Sequence, residues 1–257
     1  MDDIEKQKPL QAAVVLTGVE KGVVRQSMKK LAIITARGGS KRIPRKNIRP
    51  FLGKPIMAYS IEAALQSGIF DEVMVSTEDE EIAALAKQYG AKVPFYRSEK
   101  TAGDFAGTND VLLEVLEEYE KRGEHFELGC CIYPTAPFVT AKKLKKAVEK
   151  LLEEEADTLI PVVEFSYPPK RAMVIRDGLL QFGDLRYIDS RSQDLEKEYH
   201  DVGQFYCFRT EAFQKNRKLM LGKILPYVVS ETEVQDIDNE SDWQIAEIKY
   251  EAMQRRV

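Results

Sequence analysis

Short, almost wholly apolar runs alternate with amphipathic stretches along this chain, and that rhythm limits the folds open to it. "LAIITA" (31–36), "DEVMVST" (71–77), "LGCCIY" (128–133) and "DTLIPVV" (157–163) are short runs of this kind. Their brevity and continuous apolarity fit strands covered on both faces. Between them lie helical patterns. "KPIMAYSIEAALQSG" has Pro55 near its start and Gly68 at its stop, and "DEEIAALAKQYG" ends at Gly90. Thr108 is placed to cap "NDVLLEVLEEYEKRG", where Val111, Leu112, Val115, Leu116 and Tyr119 form one face. Thr140 is placed to cap "AKKLKKAVEKLLEEE". "AKVPFY" (91–96) reads as a strand end or edge, because Pro94 has no N–H to pair. Strand–helix alternation of this kind builds βαβ units, which predicts an α/β fold with a mostly parallel sheet.

The rhythm breaks over residues 164–201, which are rich in Pro, Gly, Tyr and charge. This stretch reads as an inserted, partly β segment suited to a lid or a subunit contact. The strands "GQFYCFR" (203–209) and "ILPYVV" (224–229) follow. Ser241 and Gln244 then match a capping box for the last helix, "DWQIAEIKYEAMQ". Residues 1–28 read as a flexible N-terminal extension with no chemistry of its own, and residues 29–257 as one domain.

Composition excludes several classes. Of 257 residues, 44% are hydrophobic and 31% charged, and the formal net charge is −4, so the surface as a whole is not built for nucleic acid. The three cysteines, Cys130, Cys131 and Cys207, show no C-x-x-C spacing and suit neither a disulfide framework nor a zinc site. Cys130 and Cys131, in an apolar run, fit small buried hydrophobes, and a reducing cytoplasm suits the set. No apolar stretch approaches the roughly 18 residues of a membrane span. The opening "MDDIEKQKP" is acidic where a signal peptide would be basic.

Against that mildly acidic background, "ARGGSKRIPRKN" (36–47) packs five cations and two glycines into twelve positions without one acid. It follows the first strand directly, and open parallel sheets bind ligands beyond the carboxyl ends of their strands. Gly38 and Gly39 permit a sharp turn that presents backbone N–H groups to a phosphate. Ser40 offers a hydroxyl, and Asn47 either donates to a phosphate or fixes the loop. Arg37, Lys41, Arg42, Arg45 and Lys46 supply charge-assisted bonds, each worth roughly 1.5–3 kcal/mol; not all five can face one ligand. The loop matches neither G-x-x-x-x-G-K-[ST] nor G-x-G-x-x-G, which disfavours a hydrolytic NTPase and a dinucleotide site. A basic, solvated surface loop is the plain alternative.

The acidic counterpart is "VQDIDNESDW" (234–243). Asp236 and Asp238 stand two apart, and in an extended segment such residues point to one side. Two carboxylates, phosphate oxygens and water are the usual ligands of Mg²⁺. A polar turn before a helix is the alternative. Tyr133, ahead of "PTAP", is placed to line a pocket at a strand end, or to pack as an aromatic. His200 and Asp201 form a polar cluster with no nucleophile in view, His125 reads as a surface residue, and Asp79 as a helix start. No Ser-His-Asp or Cys-His set can be assembled.

Taken in order, "ITARGGSKRIPRKN", "GKPIMAYSIEAA", "VSTEDEEIAALAKQYGA", "YPTAPF" and "VQDIDNESDW" resemble the cytidylyltransferases that activate nine-carbon and eight-carbon sugar acids. The likeness spans roughly residues 29 to 250. "SRSQDLEKEYHDVGQFY" is most similar to the branch that uses pseudaminic acid in bacterial flagellin and capsule glycosylation. The sialic acid branch commonly has glutamine where Tyr133 stands. The resemblance implies a Rossmann-like fold and a homodimer. It implies CTP held by the main chain near Ala36 and by Arg37, Ser40, Lys41 and Asn47, with Arg97 and Thr108 nearer the base and ribose. It gives Arg37, Lys41, Lys46 and Asp238 the catalytic work, and Asp236 and Asp238 a Mg²⁺ ion. Tyr133 and Gln204 fall where the sugar acid is held. The 164–201 segment corresponds to a region that reaches across the dimer, so Arg191 or Lys170 would serve the partner's site. The implied reaction is CTP plus a 2-keto sugar acid giving CMP-sugar and pyrophosphate. N-acetylneuraminic, legionaminic and keto-deoxyoctonic acids are alternative acceptors, and a non-catalytic CTP-binding protein is the alternative of another class.

Overall fold

The computed structural model describes residues 28–103 and 106–255. All of the expected N-terminal extension except Met28 lies outside the described residues. The strands of the main sheet are β1 (Lys30–Thr35), β2 (Glu72–Ser76), β3 (Leu128–Ile132) and β4 (Thr158–Glu164). A separate hairpin pairs β5 (Met173–Arg176) with β6 (Leu179–Phe182). The main sheet is completed by β7 (Tyr199–Asp201), β8 (Phe205–Arg209) and β9 (Ile224–Val228). Its order is β9-β4-β8-β3-β1-β2, with β7 also paired to β4.

β1 pairs in parallel with β2 and β3, and β4 with β9. β8 enters antiparallel between β3 and β4. β2, β1, β3, β4 and β9 therefore all run the same way, which keeps the parallel core that the alternation of strands and helices predicts. The return strand is what alternation alone does not show, since a β8 reached from the 164–201 segment has no crossover helix before it.

Helices α1 (Ile56–Ser67), α2 (Glu80–Gln88), α3 (Thr108–Lys121), α4 (Ala141–Glu153), α5 (Thr210–Asn216) and α6 (Glu240–Gln254) flank the sheet. The period-two alternation of β1 explains why both faces need cover. Ala32 and Ile34 join a cluster with Met57 and Ile61 of α1 and Leu144 and Leu151 of α4. Leu31 and Ile33 join the opposite cluster with Leu112, Val115 and Leu116 of α3. Each such side chain removed from water stabilises the fold by about 2 kcal/mol. Gly129 in β3 leaves room for the Phe208 ring of β8, which would stand 2.2 Å from any Cβ there. The three cysteines are buried free thiols.

Three local expectations are corrected. "AKVPFY" forms no strand. Lys92 bridges Met74 and bonds to Val73 and Val75, and Pro94 ends the pairing. Thr108 does not cap α3; Gly107 does, its N–H donating to Asp110 Oδ2 at 3.0 Å. The Thr108 hydroxyl has instead a tertiary partner, Tyr133 Oη at 3.0 Å. The cap of α6 lies ahead of Ser241, at Asn239, whose Oδ1 accepts from the Asp242 N–H while its own N–H donates to Asp242 Oδ2. Thr140 does cap α4, accepting from the Lys143 N–H. No described helix is long and apolar enough to cross a membrane.

Candidate active site

β1, β2 and β3 end at one edge of the sheet, and the basic loop leaves from that edge. The Ala36 N–H donates to Ser76 O at 3.1 Å, which carries the β1–β2 pairing one residue further. The loop then folds on acids from the end of β2. Gly38 N–H donates to Glu78 Oε1 at 2.7 Å. That carboxylate corrects the expected role of Gly38, whose N–H is already taken. What position 38 requires is the absence of a side chain, because a Cβ would stand 2.6 Å from Asp79 Oδ2. Nothing lies within 4 Å of a Cβ at Gly39.

Arg45 adopts a left-handed conformation, φ 54°, ahead of a 3-10 turn at Lys46–Ile48. Its guanidinium pairs with Asp79 and Glu81. Hydrogen bonding from Arg45 holds the Asp79 carboxyl below the usual carboxylate range, against some burial. Asp79 also accepts from Ile82 N–H and so caps α2, as expected. Asn47 Nδ2 donates to Arg37 O at 2.8 Å across the loop. Of its two expected roles, Asn47 thus performs the second, while still facing the cavity. Arg45 is an anchor of the loop and does not line the cavity.

The cavity above the loop has a volume of about 520 Å³, a size that suits a nucleotide. Arg37, Ser40, Lys41, Arg42, Lys46 and Asn47 line one side. Arg97, Thr101, Thr108, Tyr133 and Thr135 line the other. Arg97 is buried, with Nη2 donating to Ser76 O at 2.7 Å and Nε to Ser76 Oγ at 3.2 Å. Its fixed charge adds to a site where cations from separate segments converge, the setting that anion binding requires.

The segment that carries both aspartates packs against the basic loop. Ile237 is buried between them, in one cluster with Ile43 of the basic loop and Trp243 of α6. Asp236 and Asp238, on either side of Ile237, are more exposed than it is. Asp238 pairs with Arg42 at 2.6 Å. Lys46 Nζ donates to Ile237 O at 2.6 Å and stands 4.0 Å from Asp238 Oδ1. Burial pushes the Lys46 ammonium down from its ordinary value; Asp238 and Asp236 oppose this, and Arg42 and Arg37 add to it. Asp236 lines a second cavity, also about 520 Å³, with Asp201, Tyr206 and Lys249. Tyr133 lines both cavities and joins them. Burial raises the pKa of Tyr133 and of Tyr206, whose hydroxyl donates to Asp201 Oδ2 at 2.7 Å.

The side chain of Ala36, expected to offer its main chain, is buried. Gln204 is buried and does not line either cavity; its Nε2 donates to Glu233 O at 2.6 Å. Lys170 pairs with Glu196, and Arg191 with Asp194, within the inserted segment, and neither lines either of these two cavities. His200 lines the second cavity with Nδ1 2.9 Å from Asp201 O, and His125 is exposed. The residues that sequence reasoning missed are Glu78 and Glu81 as anchors of the basic loop. The signal was there: "STEDEE" (76–81) puts acids at the end of the strand beside β1.

Among the described residues, no group of three or more His, Cys, Asp or Glu side chains forms a metal cage. Asp238, paired with Arg42 of the basic loop, and Asp236, in the second cavity, are hard oxygen donors of the kind that fit Mg²⁺ completed by substrate oxygens.

A parallel-cored α/β sheet with a cationic grip at the end of its first strand defines a nucleotide-binding protein. The model of the cytidylyltransferase family matches residues 31–216, and the chain belongs to that family. It is 42% identical over 224 residues to a pseudaminic acid cytidylyltransferase of Campylobacter jejuni serotype O:2, covering 87% of this chain and 97% of that one. A CMP-N,N'-diacetyllegionaminic acid synthase of Legionella pneumophila is 29% identical over 235 residues, 86% of this chain and 95% of its own. Among solved structures, a CMP:2-keto-3-deoxy-manno-octonic acid synthetase complexed with CTP shares the fold. Its TM-score is 0.65 at 17% identity, covering 89% of this chain and 100% of that one.

Proposed function

We propose that this nucleotidyltransferase transfers CMP from CTP to the anomeric hydroxyl of a nine-carbon 2-keto sugar acid, pseudaminic acid in particular, and releases pyrophosphate. One observation carries the reading: a cationic cavity meets a second cavity at Tyr133, with the Asp236–Asp238 segment beside both. Likeness to the Campylobacter jejuni relative along nearly its whole length supports the choice of sugar.

In this mechanism the protein does little covalent work. Arg37, Lys41 and Lys46 hold the triphosphate and offset charge on the departing pyrophosphate. Ser40 and Asn47 shape the loop around the phosphates, and Arg97 and Thr108 face the ribose and base. Asp236 and Asp238 would hold Mg²⁺, which when bound supplies Lewis-acid polarisation of a phosphate oxygen. The acceptor hydroxyl, positioned from the Tyr133 side, attacks the α-phosphorus in line with the leaving group, and an aspartate takes its proton.

The reading includes a homodimer in the cytoplasm. The hairpin of β5 and β6 leaves the cross-strand pair Ile175 and Leu180 76% and 65% exposed on one face, apolar surface that favours a second copy. Lys170 and Arg191 then reach the partner's acceptor site. The test is purified protein, CTP and a panel of sugar acids, read by pyrophosphate release. Turnover with pseudaminic acid above the others is expected. Preference for another acid would reassign the substrate, and CTP binding without release from any acid would overturn the reaction.

A further inference from the structure

Among the described residues, no strand pairs with the segment 230–238, which carries both aspartates. Side chains from elsewhere hold its backbone. Lys249 Nζ donates to Val234 O at 2.6 Å, Lys46 Nζ to Ile237 O at 2.6 Å, and Gln204 Nε2 to Glu233 O at 2.6 Å. Asp242 Oδ2 accepts from Asp238 N–H at 2.9 Å.

One further contact uses a buried charge. Lys143 is 9% exposed, and its Nζ donates to Phe138 O at 3.0 Å and stands 3.2 Å from Glu233 Oε2. Local energetics oppose a cation here. Lys143 lies in the first turn of α4, where the helix dipole disfavours positive charge. Burial disfavours it again and pushes its pKa down, against the pull of Glu233. A neutral residue would suit the helix better, so stability of α4 does not account for this lysine. Its charge meets one partner, Glu233, and that partner also carries the carbonyl gripped by Gln204.

We infer that Lys143 is a positioning residue: by clamping Glu233 it fixes the backbone from which Asp236 and Asp238 project. Asp236 and Asp238 matter as stated only if the proposed transfer holds, so the inference rests on that reading. The clamp explains why Gln204, expected at the sugar acid, is turned into the protein. Gln204 and Lys143 hold the same residue from two sides, one by its carbonyl and the other by its carboxylate.

Lys143→Met and Glu233→Gln test this. Hydrogen exchange followed by mass spectrometry is expected to quicken over residues 231–239 in both, with residues 36–47 unchanged. The kcat is expected to fall roughly 10- to 100-fold, the cost of a small misplacement, while KM for CTP stays within about twofold. The double variant is expected to match a single one, because both remove the same contact. Unchanged exchange over 231–239 in Glu233→Gln overturns the clamp, whatever the acceptor panel shows. Faster exchange with unaltered kcat overturns the positioning role. Should Lys143→Met fail to fold, Glu233→Gln, whose side chain is 31% exposed, decides alone. Absence of turnover in the parent protein counts against the transfer reaction, and the exchange measurement still decides the clamp.

Discussion

Lys46 Nζ and the Ile237 carbonyl, 191 residues apart in the chain, meet at 2.6 Å. That bond joins the basic loop to the aspartate segment, and Ile43 and Ile237 share a buried cluster beneath it. Lys46, which lines the cationic cavity, is therefore fastened to the segment that carries the aspartates. A bond of this kind holds two segments at a set spacing, and such preorganisation lowers the cost of binding a polyanion.

The pKa of Lys46 is lowered from 10.5, chiefly by burial. A required ammonium is present below the lowered value and lost as pH rises through it. The kcat/KM for CTP is expected to decline on an alkaline limb that begins below pH 10.5. Lys46→Arg is expected to move that limb upward, since guanidinium keeps its proton. A pH profile of both proteins checks this; identical limbs would detach Lys46 from the titration.

Lys41→Ala is expected to lower kcat/KM for CTP by roughly 10²-fold, for about 3 kcal/mol of charge-assisted bonding lost. Steady-state kinetics at saturating acceptor is the measurement, and near-parental values would remove Lys41 from the site.

Asp238→Asn is expected to abolish Mg²⁺-dependent turnover and leave the fold intact. The Arg42–Asp238 pair is solvated, with Arg42 69% exposed, so its loss costs stability little. Chelation is expected to silence the parent protein, and added Mg²⁺ to restore it. Activity with CTP, and circular dichroism on heating, follow the two effects separately; full activity in the variant discards the metal assignment.

Gly38→Ala and Gly39→Ala should differ, although the residues are neighbours. A Cβ at 38 displaces Asp79 and with it the Arg45 anchor, whereas a Cβ at 39 meets nothing within 4 Å. KM for CTP is expected to rise severalfold in the first and little in the second. Equal effects would mean that the anchor does not set the loop.

Ile175→Asp and Leu180→Asp are expected to convert a dimer to monomers in light scattering and to lower turnover with it. They place charge on the apolar face of the hairpin. A parental protein that is monomeric throughout would remove the shared site.

The parts of the site that were legible in the sequence are those in which one segment acts on its own neighbours. The parallel core followed from runs such as "LAIITA", because continuous apolarity over a strand's length needs cover on both faces. The cationic loop followed from composition within twelve residues.

Tertiary structure decided which atoms those segments spend on each other. Gly38 gives its N–H to Glu78, Arg45 its guanidinium to Asp79, Thr108 its hydroxyl to Tyr133 and Gln204 its amide to Glu233. Each of these polar groups satisfies either a local partner or a distant one, and the chain alone does not say which. Local period and composition act over a few residues and leave their mark in order along the chain. Hydrogen bonds and ion pairs act over a few ångströms in space, and only the assembled sheet brings residues 46 and 237, or 143 and 233, within that reach.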